Sequence, residues 1–168
     1  MLARTSSGGA TPLKMACASV MLEMASLLLE HGAEDEPSCG GAALHAAVAR
    51  SERTVVQRLL EGGALSSVAD DGHDGRTALH TAAITGDATI ASLLLRHGAS
   101  PTARYRDSGE QPLHVAAIKS HVDVARVLLA AGAPIEGMTA GGHTPLLAAA
   151  VHGDSLAVIA LLAESVEL

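Results

Sequence analysis

Aromatic side chains are almost missing from this chain: one Tyr, no Phe and no Trp stand against 48% hydrophobic residues in a length of 168. A core without rings must be filled by Ala, Leu and Val, which suits thin helices packed closely and suits a thick sandwich or barrel poorly. Cysteine is scarce too. Cys17 and Cys39 have no CxxC spacing, which argues against a disulfide framework. The two Lys and nine Arg are scattered in a chain of net charge −7. With neither a basic stripe nor stacking aromatics, nucleic acid is set aside as a partner. Met1 to Ala10 contains no apolar core of a signal peptide. The longest strongly apolar run, Leu156 to Ala163, is far too short to span a bilayer. These absences lead us to expect a soluble intracellular protein with no membrane role, cytoplasmic, with the nucleus as the alternative. The complete lack of Asn points to codon usage rather than to function.

What is present is a period. Thr11-Pro12-Leu13-Lys14, Ala42-Ala43-Leu44-His45, Thr77-Ala78-Leu79-His80, Gln111-Pro112-Leu113-His114 and Thr144-Pro145-Leu146-Leu147 are versions of one tetrapeptide. Their starts are 31, 35, 34 and 33 residues apart. Each is followed by Ala-rich sequence and then by a Leu-rich run. Four of the runs close on Gly-Ala, at Gly32-Ala33, Gly63-Ala64, Gly98-Ala99 and Gly132-Ala133.

Each unit reads as two short antiparallel helices. Thr in first place is a helix N-cap, and Pro behind it occupies N1, where a missing N–H costs nothing. The first helix, for instance Ala78 to Ile84, carries small residues that permit close approach. Gly86-Asp87 and Gly153-Asp154 make the inter-helix turn, with Asp placed to cap the second helix. In that helix Ile90, Leu93 and Leu94 stand at i, i+3 and i+4. Gly98 and its equivalents are expected in the left-handed region just past the helix, and His31 and His97 sit at the negative end of its dipole. A helix pair this small cannot bury its own apolar face, so neighbouring units must stack.

These residues resemble the ankyrin repeat, with its Thr-Pro-Leu-His-x-Ala pattern and 33-residue period. The resemblance runs from about Ser6 to Leu162, best at Thr77 and Gln111 and weakest at Thr11 and Thr144. It implies an all-α solenoid: a curved ankyrin-repeat stack of antiparallel helix pairs with β-hairpin loops along one edge. The units are 11–41, 42–76, 77–110, 111–143 and 144–168, behind a partial hairpin or tail at 1–10. The family binds proteins on the concave surface formed by the hairpin tips and first helices, so the expected partner is another protein, of unspecified identity. Departures from the pattern are Val20 and Ser120 in place of the turn Gly and Arg58 at a Leu position. The hairpin at Ala69 to Gly75 is long, and the one around Glu36-Pro37-Ser38 is short.

Carrying the variable surface positions of the family onto this sequence gives the expected contact set. The segments before each repeat supply His73, Asp74, Arg76, Asp107, Ser108, Glu110 and His143. The exposed ends of the first helices supply Arg50, Ile84, Thr85, Ile118, Lys119, Val151 and His152. Ile84, Ile118 and Val151 should align as an apolar stripe with a charged rim, unless they are partly buried against the next repeat. Arg104-Tyr105-Arg106 adds the lone aromatic, placed near a hairpin tip between two Arg, residue types that dominate interface energy. Its replacement by Ala is expected to leave the fold intact.

His45, His80 and His114 recur once per repeat. Neighbouring helices lie roughly 8–10 Å apart, whereas zinc ligands stand about 2 Å from one ion. Equivalent His residues therefore cannot converge, and we expect them to hydrogen-bond the hairpin backbone. No metal, cofactor or catalytic residue is expected. Gly153-Asp154-Ser155-Leu156 spells an esterase signature, but it falls on an inter-helix turn and no His follows it. In the last helix Leu156 and Ile159 stand where other repeats have Thr54 and Gln57, or Asp123 and Arg126. An apolar outer face there fits a segment of a longer array or multidomain chain, with a small protein with eroded caps as the alternative. The functional expectation is a protein-binding scaffold, monomeric or part of a longer chain. The alternative is the substrate-recruiting segment of a larger enzyme such as a ubiquitin ligase or kinase.

Overall fold

The computed structural model describes residues 37–63, 75–152 and 156–166, with Pro12, Met15, Ala16, Met21, Glu23, Met24, Leu27, Leu28 and His31 of the first repeat. Its helices, in chain order, are α1 (Pro37–Ala49), α2 (Arg53–Glu61), α3 (Ala78–Thr85), α4 (Ala88–Arg96), α5 (Pro112–Ile118), α6 (Val122–Ala130), α7 (Pro145–His152) and α8 (Leu156–Val166). The odd-numbered helices pack side by side in one layer and the even-numbered ones in a second, each odd helix lying against the even one that follows it. Among the described residues there is no strand, and Thr77 alone makes an isolated bridge.

Local chemistry explains where the helices start and stop. Thr77 is extended (φ −103°, ψ 163°), its hydroxyl accepts from the His80 N–H, and the Thr77 N–H donates back to the imidazole Nδ1 at 3.2 Å. His thus takes the part that Glu or Gln plays in a capping box. Asp87 caps α4: its Oδ1 accepts from the N–H groups of Thr89 and Ile90, both at 3.0 Å. Its other oxygen accepts from Arg53 Nε at 3.0 Å, which ties α2 to the next repeat. The expected left-handed glycines are found, with Gly63, Gly98 and Gly132 at φ 97°, 88° and 82°. His31 Nδ1 lies 2.8 Å from the Leu27 carbonyl, as its place at a helix end required.

Three details depart from the repeat pattern. The first is the segment read as a short hairpin around Pro37, which is already helical, so that α1 starts five residues before Ala42. Ala42 carries no capping side chain to fix a start there, whereas Pro37 enters the first turn at no hydrogen-bond cost. The second is that Ser120 takes the left-handed conformation of the Gly it replaces (φ 62°), as Ser51 does in the turn between α1 and α2 (φ 56°). The third is Arg58, which stays exposed at its Leu position and reaches back to Glu23, Nη1 to Oε2 3.4 Å.

The core is a ladder of equivalent positions. Leu44, Leu79 and Leu113 of the first helices are fully buried, as are Leu59, Leu94 and Leu128 of the second. Ala47, Ala82 and Ala116 are equally buried, on first helices that pack against one another. Burying one such Leu stabilises by about 1.5–3 kcal/mol.

Candidate functional site

Two loops that join successive repeats form the walls of a cleft. In the first, the Tyr105 N–H donates to the Glu110 carbonyl (2.9 Å) and Gly109 N–H to that of Tyr105 (3.1 Å). In the second, Thr139 N–H donates to the His143 carbonyl (3.0 Å) and Gly142 N–H to that of Thr139 (3.0 Å). These are hairpins closed by turn hydrogen bonds rather than strand ladders. Ala140 N–H donates to the Ser108 carbonyl at 2.8 Å, which locks one hairpin to the other. Gly109 allows that approach: its φ is +68°, and a Cβ there would stand 3.0 Å from the Ala140 nitrogen.

The recurrent histidines anchor these hairpins from below. His80 is completely buried, and its Nε2 lies 3.2 Å from the Glu110 carbonyl. His114, also completely buried, accepts from the Gln111 N–H through Nδ1 and donates from Nε2 to the His143 carbonyl at 3.0 Å. Both therefore hold the hairpin that closes their own repeat, as expected. That arrangement needs a neutral ring protonated on Nε2. Burial pushes the His114 imidazole below its ordinary value, against the opposite pull of the His143 and Gly137 backbone and of the Glu110 carboxylate. His45 lies 3.4 Å from the Thr81 hydroxyl. Among the described residues no group of three His, Cys, Asp or Glu side chains gathers to hold a metal ion, and no helix is long and apolar enough to cross a membrane.

Between the hairpins and the ends of α5 and α7 the cleft encloses about 350 Å³. It is lined by Asp107, Ser108, Glu110, Ile118, Thr139, Ala140, Gly141, His143, Ala148 and His152. Six of these, Asp107, Ser108, Glu110, Ile118, His143 and His152, belong to the contact set expected from the sequence. The other four were missed. The Gly141-Gly142 pair before His143 was the available sign that a tight turn would bring its neighbours into the wall.

Of the remaining expected residues, those that are described lie elsewhere. His73 and Asp74 fall outside the described residues, as does Gly153-Asp154-Ser155 of the esterase-like signature. Arg50 is on the exposed turn after α1, paired with Glu52 at 2.8 Å. Thr85 donates to the Ala82 carbonyl, and Lys119 is exposed at the end of α5. Arg104 hydrogen-bonds the Met138 carbonyl across to the second hairpin, and Arg106 packs its stem against Gly75. The apolar stripe is graded: Ile84 is half-buried against the core, Ile118 half-buried in the cleft, and Val151 57% exposed.

Tyr105 makes a packing contact that its place between two Arg did not reveal. Its ring is half-buried and stacks on His80, with centroids 4.4 Å apart and planes 27° from parallel, and the Arg76 guanidinium carbon lies 5.9 Å from its centre. The lone aromatic thus packs its hairpin onto α3 of the same repeat, and its loss is expected to cost stability. Sequence reading also overlooked His121, which holds the capping position that Asp87 has one repeat earlier. Its Nε2 lies 3.1 Å from the Ile84 carbonyl, and its ring fills the space where a Cβ on Gly86 would stand, 2.6 Å away.

A two-layer stack of helix pairs linked by hairpins defines a repeat solenoid. The chain belongs to the ankyrin-repeat family: the family model described as ankyrin repeats (3 copies) matches residues 44–138 and 103–168. Among curated proteins it is similar to mouse Ankyrin repeat and SOCS box protein 16, 38% identical over 54% of this chain and 22% of the relative. The human protein of the same name is 37% identical over 60% of this chain and 22% of the relative. The chain thus spans about a fifth of the length of these relatives. Ankyrin repeats generally mediate protein–protein interaction.

Proposed function

We propose that this chain is a protein-interaction scaffold that holds its partner on the surface made by the hairpins and first helices of the last three repeats. The observation that carries the reading is that Asp107, Ser108, Glu110, Ile118, His143 and His152, drawn from two hairpins and two helices, line one cleft. Its walls are fixed by backbone hydrogen bonds, so little ordering entropy is lost on binding. The test is affinity capture from source-cell lysate with wild type beside an Ile118→Ser/His152→Ala variant that melts like wild type. A protein held by wild type and lost from the variant supports the reading. Equal capture by both would move the binding surface elsewhere.

A second reading makes the repeats the substrate-recruiting segment of a larger enzyme such as a ubiquitin ligase. What favours it is the name of the two relatives, which joins ankyrin repeats to a further module, the SOCS box. Reading the source transcript on either side of this segment checks it. An adjoining open reading frame with such a module is the expected result, and a transcript encoding these repeats alone would rule it out.

A further inference from the structure

The cleft has a chemical character that goes beyond general protein binding. Two of its lining side chains are carboxylates, Asp107 and Glu110, and none is Lys or Arg. The nearby cations are directed elsewhere: Arg104 to the Met138 carbonyl, Arg106 along Gly75, and Lys119 outward at the end of α5. The Ser108 hydroxyl donates to Glu110 Oε2 at 3.2 Å and orients that carboxylate. Ile118 and Ala148 supply apolar surface, against which the stem of a long side chain can lie while its charged end stays with the acids. The other polar side chains of the lining are those of Thr139, His143 and His152, and the Thr139 hydroxyl already accepts from the His143 N–H at 3.1 Å.

From these observations we propose that the cleft receives a Lys or Arg side chain presented by an extended segment of the protein partner. This deepens the scaffold reading above and rests on it. An acidic side chain would meet two carboxylates at close range, which like-charge repulsion disfavours. A purely apolar one would desolvate Glu110 without giving it a partner. The volume, about 350 Å³, takes a side chain with its flanking backbone and not a folded element.

The test is selection of a random peptide library displayed on phage against the whole chain, followed by affinity measurement of the enriched peptides. The expected result is a basic residue fixed at one position and binding that weakens as salt rises. Binding should fall roughly tenfold in the Asp107→Asn/Glu110→Gln variant. If that pair melts below wild type, Asp107→Asn alone, at an exposed site, carries the comparison. Enriched peptides that share no basic residue, or that bind the variants as tightly as wild type, would overturn this proposal and leave the scaffold reading standing. Enrichment of no peptide would overturn it as well, with capture from lysate still deciding the scaffold reading separately.

Discussion

The interior repeats and the last one are built from the same pattern, yet they bury different things. In the third repeat Leu79, Ala83 and Ile90 are completely buried, because a helix pair lies on either side of them. At the equivalent places in the last repeat Leu146 is half-buried, while Ala150 and Ala157 are exposed. Only the side of α8 turned toward its predecessor is closed, by Val158 and Leu162, both completely buried. Leu156 is 82% exposed, whereas Ile159, expected with it on an apolar outer face, packs partly against the core. The comparison teaches that a residue's worth in this fold is set by whether a neighbour covers it, not by its place in the period.

Leucine substitutions test that statement most directly. Leu94→Ala, in the middle of the stack, should cost about 3 kcal/mol, while Leu156→Ala should stay within about 0.5 kcal/mol, both read from urea melts. Equal losses would refute the comparison. The histidine position comes next. His80→Ala should cost about 1–3 kcal/mol because it strands the Thr77 and Glu110 backbone groups, and Leu147→Ala at the equivalent place should cost far less. Tyr105→Ala should also destabilise, and a double-mutant cycle with His80 should show about 0.5–1.5 kcal/mol of coupling from the stacked rings. A His80→Ala melting curve that overlays wild type would end the anchoring account.

Capping gives a smaller contrast. Asp87→Ala removes two N–H contacts and an Arg53 partner and should cost about 1–2 kcal/mol, whereas Glu52, whose side chain caps nothing, should be nearly silent on the same substitution. Ser120→Gly should raise stability by about 0.5–1 kcal/mol by relieving the left-handed serine, checked by the shift in thermal midpoint. A slope rather than a step is expected for pH. The folded His114 resists protonation, so stability is fully present above the ordinary imidazole value of about 6.5. It is lost progressively as pH falls from there toward the depressed folded value, because the unfolded chain takes up the proton first. His114→Gln should flatten that part of the pH profile, and an unchanged profile would assign the slope to other groups.

Much of the fold was legible because the repeat writes its own boundaries. Thr77, Asp87 and Gly98 each act through backbone groups within a few residues, so their roles follow from local chemistry alone. The helix start at Pro37 was not legible, since no capping residue at Ala42 marked the expected one. The cleft was half legible. Asp107, Glu110, Ile118 and His143 stand at positions the period singles out, but Thr139 to Gly141 enter through the Ala140–Ser108 hydrogen bond. That contact joins residues a full repeat apart, and no local pattern records it.

By itself the sequence determined that versions of one helix pair must stack, that small aliphatics fill the space between them, and that His80 and His114 serve the hairpins. Tertiary structure alone decided that Tyr105 packs on His80, that His121 takes the place beside Gly86, and which side chains share the cleft. The reason is physical. Caps, turns and periodicity act within a few residues along the chain, whereas stacking and hairpin contacts join positions about thirty residues apart, whose distance is fixed only when the repeats pack.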